Sequence, residues 1–110
     1  MRLILMFDLP TNTSTDKKNY NTFKKHIVNL GFCMLQYSIY TRIVKNNDDA
    51  DKYIHRLKYN IPPKGSIRLL KITEKQYSNM LILQGNITYS EQLLENINQI
   101  IDYNKLTYMY

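Results

Sequence analysis

The run Leu3-Ile4-Leu5-Met6-Phe7 is apolar without interruption and stops at Asp8-Leu9-Pro10, the pattern of a strand buried in the middle of a sheet. Thr13, Ser14 and Thr15 each offer a helix cap, and Tyr20, Phe23, Ile27 and Leu30 then recur at helical spacing until Gly31 ends the pattern. From Cys33 to Val44 β-branched and aromatic residues dominate. Cys33, Leu35, Tyr37 and Ile39 alternate there with Met34, Gln36, Ser38 and Tyr40, which predicts one long second strand. The period of two assigns Tyr37 to the core and Tyr40 to an interface. Asn46 to Asp49 reads as a polar turn and cap, after which Ala50, Tyr53, Ile54, Leu57 and Ile61 make the apolar stripe of a second helix that Pro62-Pro63 closes. Gly65 opens a third strand, Ser66 to Ile72. Thr73 to Tyr77 reads as a capped helical turn, and Met80 to Leu83 as a fourth strand.

These elements predict an α+β chain of the ferredoxin-like kind, βαββαβ with one extra turn, in which a four-stranded antiparallel sheet carries its helices on one face. Residues 1–85 form that domain, and Gly85 to Tyr89 mark a boundary. In the C-terminal extension, 86–110, Leu93, Leu94, Ile97, Ile100 and Ile101 share one face of a predicted helix and Leu106 to Tyr110 form a short strand. This extension is an interaction arm, with Leu93, Leu94, Ile97, Ile101 and Leu106 as its partner-binding residues. The sheet face away from the helices is left uncovered, and a chain of 110 residues gains stability by dimerising through such a face.

The chain has 15 Lys and Arg against nine Asp and Glu, a formal net charge of +6. Residues 1–85 hold 14 of the basic side chains and six of the acidic ones, whereas 86–110 hold one Lys and three acids, so the basic surface belongs to the domain. Such a balance favours polyanions. At about 100° per residue, Lys17, Lys18, Lys24 and Lys25 point away from the Tyr20, Phe23 and Ile27 stripe, as an outer face able to follow a nucleic-acid backbone; Arg42 and Arg68 add further phosphate contacts. Read blandly, the same lysines are an ordinary solvated helix face. The single Cys33 excludes an internal disulfide and a multi-cysteine metal site, and His26 and His55 lack zinc spacing. No stretch approaches the roughly 20 apolar residues of a membrane span, so the expectation is a cytoplasmic protein with no membrane partner.

Asp8 is the residue with the most chemistry. An Asp before Leu9-Pro10 is a favoured turn former. A carboxylate at the tip of a first strand in a basic protein is also a hard oxygen ligand for magnesium or manganese, which meet phosphate oxygens and supply a nucleophile.

Met6-Phe7-Asp8-Leu9-Pro10, Gln36-Tyr37-Ser38-Ile39-Tyr40, Ile61-Pro62-Pro63-Lys64-Gly65-Ser66 and Thr73-Glu74-Lys75-Gln76-Tyr77, in this order and spacing, resemble the Cas-two family, the small subunit of the CRISPR spacer-acquisition complex. They are most similar to its type II members, over about residues 2–85. The resemblance implies a homodimer joined through sheet faces, with two copies of Asp8 facing each other near the dimer axis. It implies that the homodimer bridges integrase (Cas-one) dimers and supports protospacer double-stranded DNA during spacer acquisition in antiviral defence. The alternative it carries is a magnesium-dependent endonuclease, cutting single-stranded RNA or DNA through Asp8, dispensable for adaptation. Ser38 matches a serine that the family places beside the dimer axis, and joins Asp8 as a candidate catalytic residue. A stand-alone, toxin-like ribonuclease of the same shape is a third reading.

Overall fold

In the computed structural model, which describes residues 1–85, β1 (Arg2–Asp8), β2 (Cys33–Gln36), β3 (Ile39–Ile43) and β4 (Ser66–Ile72) form one sheet in the order β2-β3-β1-β4, with every neighbouring pair antiparallel. Helix α1 (Ser14–Asn29) joins β1 to β2, α2 (Asn47–Leu57) and a 3-10 turn at Lys58–Asn60 join β3 to β4, and α3 (Glu74–Ser78) follows β4. This is the ferredoxin-like βαββαβ order. The predicted helix and strand carrying Leu93, Leu94, Ile97, Ile101 and Leu106 lie outside the described residues.

The start of α1 follows from its sequence. Thr13 Oγ1 accepts from the Asp16 amide at 3.0 Å while Asp16 Oδ2 accepts from the Thr13 amide at 3.3 Å, a reciprocal cap contributing about 1 kcal/mol. From there Phe23 and Ile27 drop onto Leu3, Leu5 and Phe7 of β1, and α2 adds Ala50, Tyr53 and Leu57 to the same core. Phe23 is 1 % exposed and meets Phe7 edge-on at 5.3 Å between ring centroids, so truncating it to Ala would cost about 3–5 kcal/mol.

Two sequence expectations are corrected. The predicted single strand Cys33 to Val44 is a hairpin, β2 and β3, reversing at Tyr37-Ser38 with Ser38 at φ 62° and a register shift between Met34 and Gln36. This reversal puts Ser38 in the left-handed region, without the glycine or proline that would have marked a turn. The faces change accordingly: Tyr37 is 78 % exposed and Tyr40 is buried at 4 %, the reverse of their assignment. The second correction is Met80 to Leu83, which pairs with no strand among the described residues and leaves Leu81 and Leu83 open to solvent. The four-stranded sheet is therefore completed by the second strand of the hairpin, β3; apolar character at 80–83 recorded hydrophobicity without recording a ladder.

Alternation along β1 sends Leu3, Leu5 and Phe7 toward the helices, and Arg2, Ile4, Met6 and Asp8 to the other face of the sheet. At the Arg2 end α3 packs against that second face. Arg2 Nε donates to Glu74 Oε2 at 2.7 Å, and its guanidinium lies 3.6 Å from the Tyr77 ring centroid. Toward the Asp8 end Leu70 is half exposed, and Arg68 and Asp8 face solvent.

Candidate metal and nucleic-acid site

Asp8 is the last residue of β1 and is exposed. Three local features hold it. The Phe7 amide donates to the Ser38 carbonyl at 3.1 Å, drawing the tip of the hairpin beside the end of β1. The β1–β4 register sets Ser66 directly opposite Asp8 and Arg68 opposite Met6. Gly65, at φ 100°, lets the chain pass so close that a Cβ there would lie 2.6 Å from the Asp8 carbonyl oxygen and 2.7 Å from Leu9 Cδ2.

Together these residues rim an open basin of about 470 Å³ lined by Met6, Phe7, Asp8, Tyr37, Ser38, Ile39, Ser66 and Arg68. The structure thus brings together three residues singled out in the sequence, Asp8, Ser38 and Arg68, and adds Ser66, which closes one of the matching segments but had been given no role at the site. Its position opposite Asp8 is a matter of strand register, invisible until β1 and β4 are paired. The Asp8 carboxylate forms no ion pair or hydrogen bond among the described residues, so the Asx-turn reading of this side chain has no bond to support it.

A tyrosine cluster backs the hairpin. Phe7 stacks with Tyr40 at 5.7 Å and meets Tyr20 edge-on at 6.3 Å. Burial holds the Tyr20 phenol above its ordinary pKa, the Tyr37 hydroxyl adds to that, and a hydrogen bond with the Ser38 hydroxyl works the other way. Tyr40 is raised by burial and then by Tyr37.

Among the described residues no group of three or more His, Cys, Asp or Glu is placed to hold a metal ion. The basin offers one carboxylate, unpaired among the described residues, with the hydroxyls of Ser38 and Ser66 on its rim. That donor set fits a hard cation of the magnesium type, which keeps much of its water and is held by one or two carboxylates plus substrate phosphates; it does not form a closed protein cage.

The lysines are a separate surface. Lys17, Lys18 and Lys25 line a shallow concavity of about 480 Å³ on the outer side of α1, together with Ser14, Asn21 and Thr22. Lys24 is exposed on the same helix but outside it. Arg42 is elsewhere and already occupied: its guanidinium lies 3.8 Å from the Tyr53 ring centroid, bonds the Tyr53 hydroxyl and donates to the Ile43 carbonyl at 3.2 Å. No helix among the described residues is long and apolar enough to cross a membrane.

Residues 1–80 match the family model described as CRISPR associated protein Cas2. The chain belongs to the Cas2 family. Curated relatives include the CRISPR-associated endoribonuclease Cas2 of Streptococcus mutans serotype c, 47 % identical over 85 residues that make up 77 % of this chain and 78 % of the relative. The protein of the same name from Acidovorax ebreus is 39 % identical over 92 residues, 84 % of this chain and 90 % of that one. The crystal structure of Streptococcus pyogenes Cas2 at pH 6.5 superimposes with a TM-score of 0.56 at 21 % identity, covering 76 % of this chain and all of the other. That last likeness shows the fold alone; the sequence matches establish the family.

Proposed function

We propose that this Cas2-family chain acts in CRISPR adaptation as a homodimer that supports a short protospacer DNA duplex and bridges dimers of the integrase subunit. The observation that carries the reading is the concavity on α1, where three lysines that pair with no acid among the described residues stand beside the polar groups of Ser14, Asn21 and Thr22. Such a surface grips phosphates and reads no bases. Arg68 adds a basic side chain on the separate Asp8 basin. Dimerisation through the open sheet face would cover Met6, Ile39 and Leu70, and the integrase contact is assigned to Leu93, Leu94, Ile97, Ile101 and Leu106 of the extension.

The test is duplex binding across a salt series. Affinity should fall linearly on log-log axes, and Lys17→Ala with Lys18→Ala should flatten the slope by about 2, near 0.9 per phosphate contact, without changing sequence preference. An unchanged slope in the double variant would overturn the assignment.

A second reading is favoured by one observation, the unpaired exposed carboxylate of Asp8. On this reading the dimer is a metal-dependent phosphodiesterase acting on RNA or DNA, as the relatives' name, endoribonuclease, suggests. Asp8, paired with its copy in the second chain, would hold magnesium or manganese; when bound, that ion supplies the positive charge that polarises a phosphodiester and activates water. Ser38 and Arg68 would orient the phosphate from the basin's other walls. Comparing Asp8→Ala with wild type separates the two readings. Integration with the cognate integrase should persist in the variant, and magnesium-dependent cleavage should vanish.

A further inference from the structure

We propose that Ser66 is a positioning residue for Asp8: its side chain, which stands opposite Asp8 without bonding it, would turn when a cation binds so that the hydroxyl donates to one carboxylate oxygen and leaves the other to face the divalent cation. The inference rests on the metal-site reading of Asp8 and adds a residue which that reading does not itself require.

Antiparallel pairing places Ser66 directly across from Asp8. Directly opposed residues have Cβ atoms about 4.5–5.5 Å apart and project from the same face, a separation that a serine hydroxyl and an aspartate carboxylate bridge by side-chain rotation alone. The rung is held at that spacing from one position away. Gly65 runs against the Asp8 carbonyl and Leu9 at distances where no side chain fits, so β4 enters the ladder with its first residue fixed relative to Asp8.

Other donors near the basin are less suited. Ser38 lies at the hairpin tip between β2 and β3, outside the strand paired to Asp8, and Arg68 stands opposite Met6. An arginine on Asp8 would also neutralise the charge that attracts the cation, whereas a neutral hydroxyl orients the carboxylate and leaves its charge available. Carboxylate ligands are commonly held by such outer hydrogen bonds, and losing one costs about 10–100-fold in metal affinity.

The experiment is manganese binding by the full chain, followed by electron paramagnetic resonance of the free ion, with thermal unfolding as the control for folding. Wild type, Asp8→Ala, Ser66→Ala and the isosteric pair Ser66→Thr and Ser66→Val are compared. The expected result is loss of saturable binding in Asp8→Ala, a roughly tenfold weaker Kd in Ser66→Ala and Ser66→Val, and retention in Ser66→Thr. The Thr and Val variants have the same shape, so a fall in affinity for Val alone reports the hydroxyl and not the packing. If Asp8→Ala abolishes binding while Ser66→Ala and Ser66→Val bind as wild type, the role of Ser66 is overturned and the metal-site reading stands. If Asp8→Ala binds manganese as wild type does, the metal-site reading fails and this inference fails with it.

Discussion

The Phe7 amide donates to the Ser38 carbonyl at 3.1 Å, so the hairpin tip is tied to the residue immediately before Asp8. Ser38 presents that carbonyl from the left-handed region, at φ 62°. The bond therefore depends on a conformation that costs a residue with a Cβ about 1–2 kcal/mol.

Substitution at Ser38 should separate backbone from hydroxyl. Ser38→Gly removes the hydroxyl and relaxes the turn, so stability to urea should stay level or rise by up to about 1 kcal/mol. Ser38→Val puts a β-branched residue into the same φ and should lower stability by at least about 1 kcal/mol. If both variants lose cleavage activity despite opposite stability changes, the hydroxyl itself acts at the site.

Gly65 makes a sharper demand. A methyl group at this position would lie 2.6 Å from the Asp8 carbonyl oxygen, a backbone atom that cannot swing away. Gly65→Ala should therefore destabilise by more than the roughly 1 kcal/mol of an ordinary positive-φ substitution. It should also displace Asp8, weakening manganese binding further than the stability loss explains. Equilibrium denaturation and metal titration of the same preparation check both.

Much of this architecture is legible from residue pattern alone. β1, α1, α2 and β4 each follow from an apolar period bounded by a cap, a glycine or a proline, because those signals are local. What escapes is the reversal at Ser38, where a serine occupies a conformation usually marked by glycine, and the run at 80–83, which joins no strand among the described residues. Asp8 stands out in the sequence because it ends an apolar run. Ser66 does not, since its relation to Asp8 exists only once β1 and β4 are in register.

Alkaline pH should act on the tyrosine cluster behind the hairpin. Burial, with Tyr37 adding to it, raises Tyr20 and Tyr40 above the ordinary value of 10.0 in the folded chain. A phenol whose folded pKa exceeds its unfolded one contributes stability that is complete below the unfolded pKa and is lost as pH rises through the folded one. Stability should thus decline from about pH 10 upward. Tyr20→Phe should flatten that decline, read from urea midpoints between pH 9 and 11.5 with ionisation followed at 295 nm.

Asp49 sets the behaviour at the acid end. Its Oδ2 accepts from the Lys45 amide at 2.9 Å and its Oδ1 lies 3.1 Å from Lys52 Nζ, and the first of these does most to hold the carboxyl below its ordinary 3.8. A carboxyl lowered in the folded state contributes stability that is present above its unfolded pKa and lost as pH falls through the folded one. The Lys45 bond also secures the chain just ahead of α2, where the Asn46 side chain accepts from the Asp49 amide at 2.9 Å. Asp49→Asn should therefore lower stability at pH 7 and leave a shallower acid limb below about pH 4, while Asp49→Glu retains part of the slope. Parallel acid limbs for wild type and Asp49→Asn would show that the carboxylate contributes nothing to holding the start of α2.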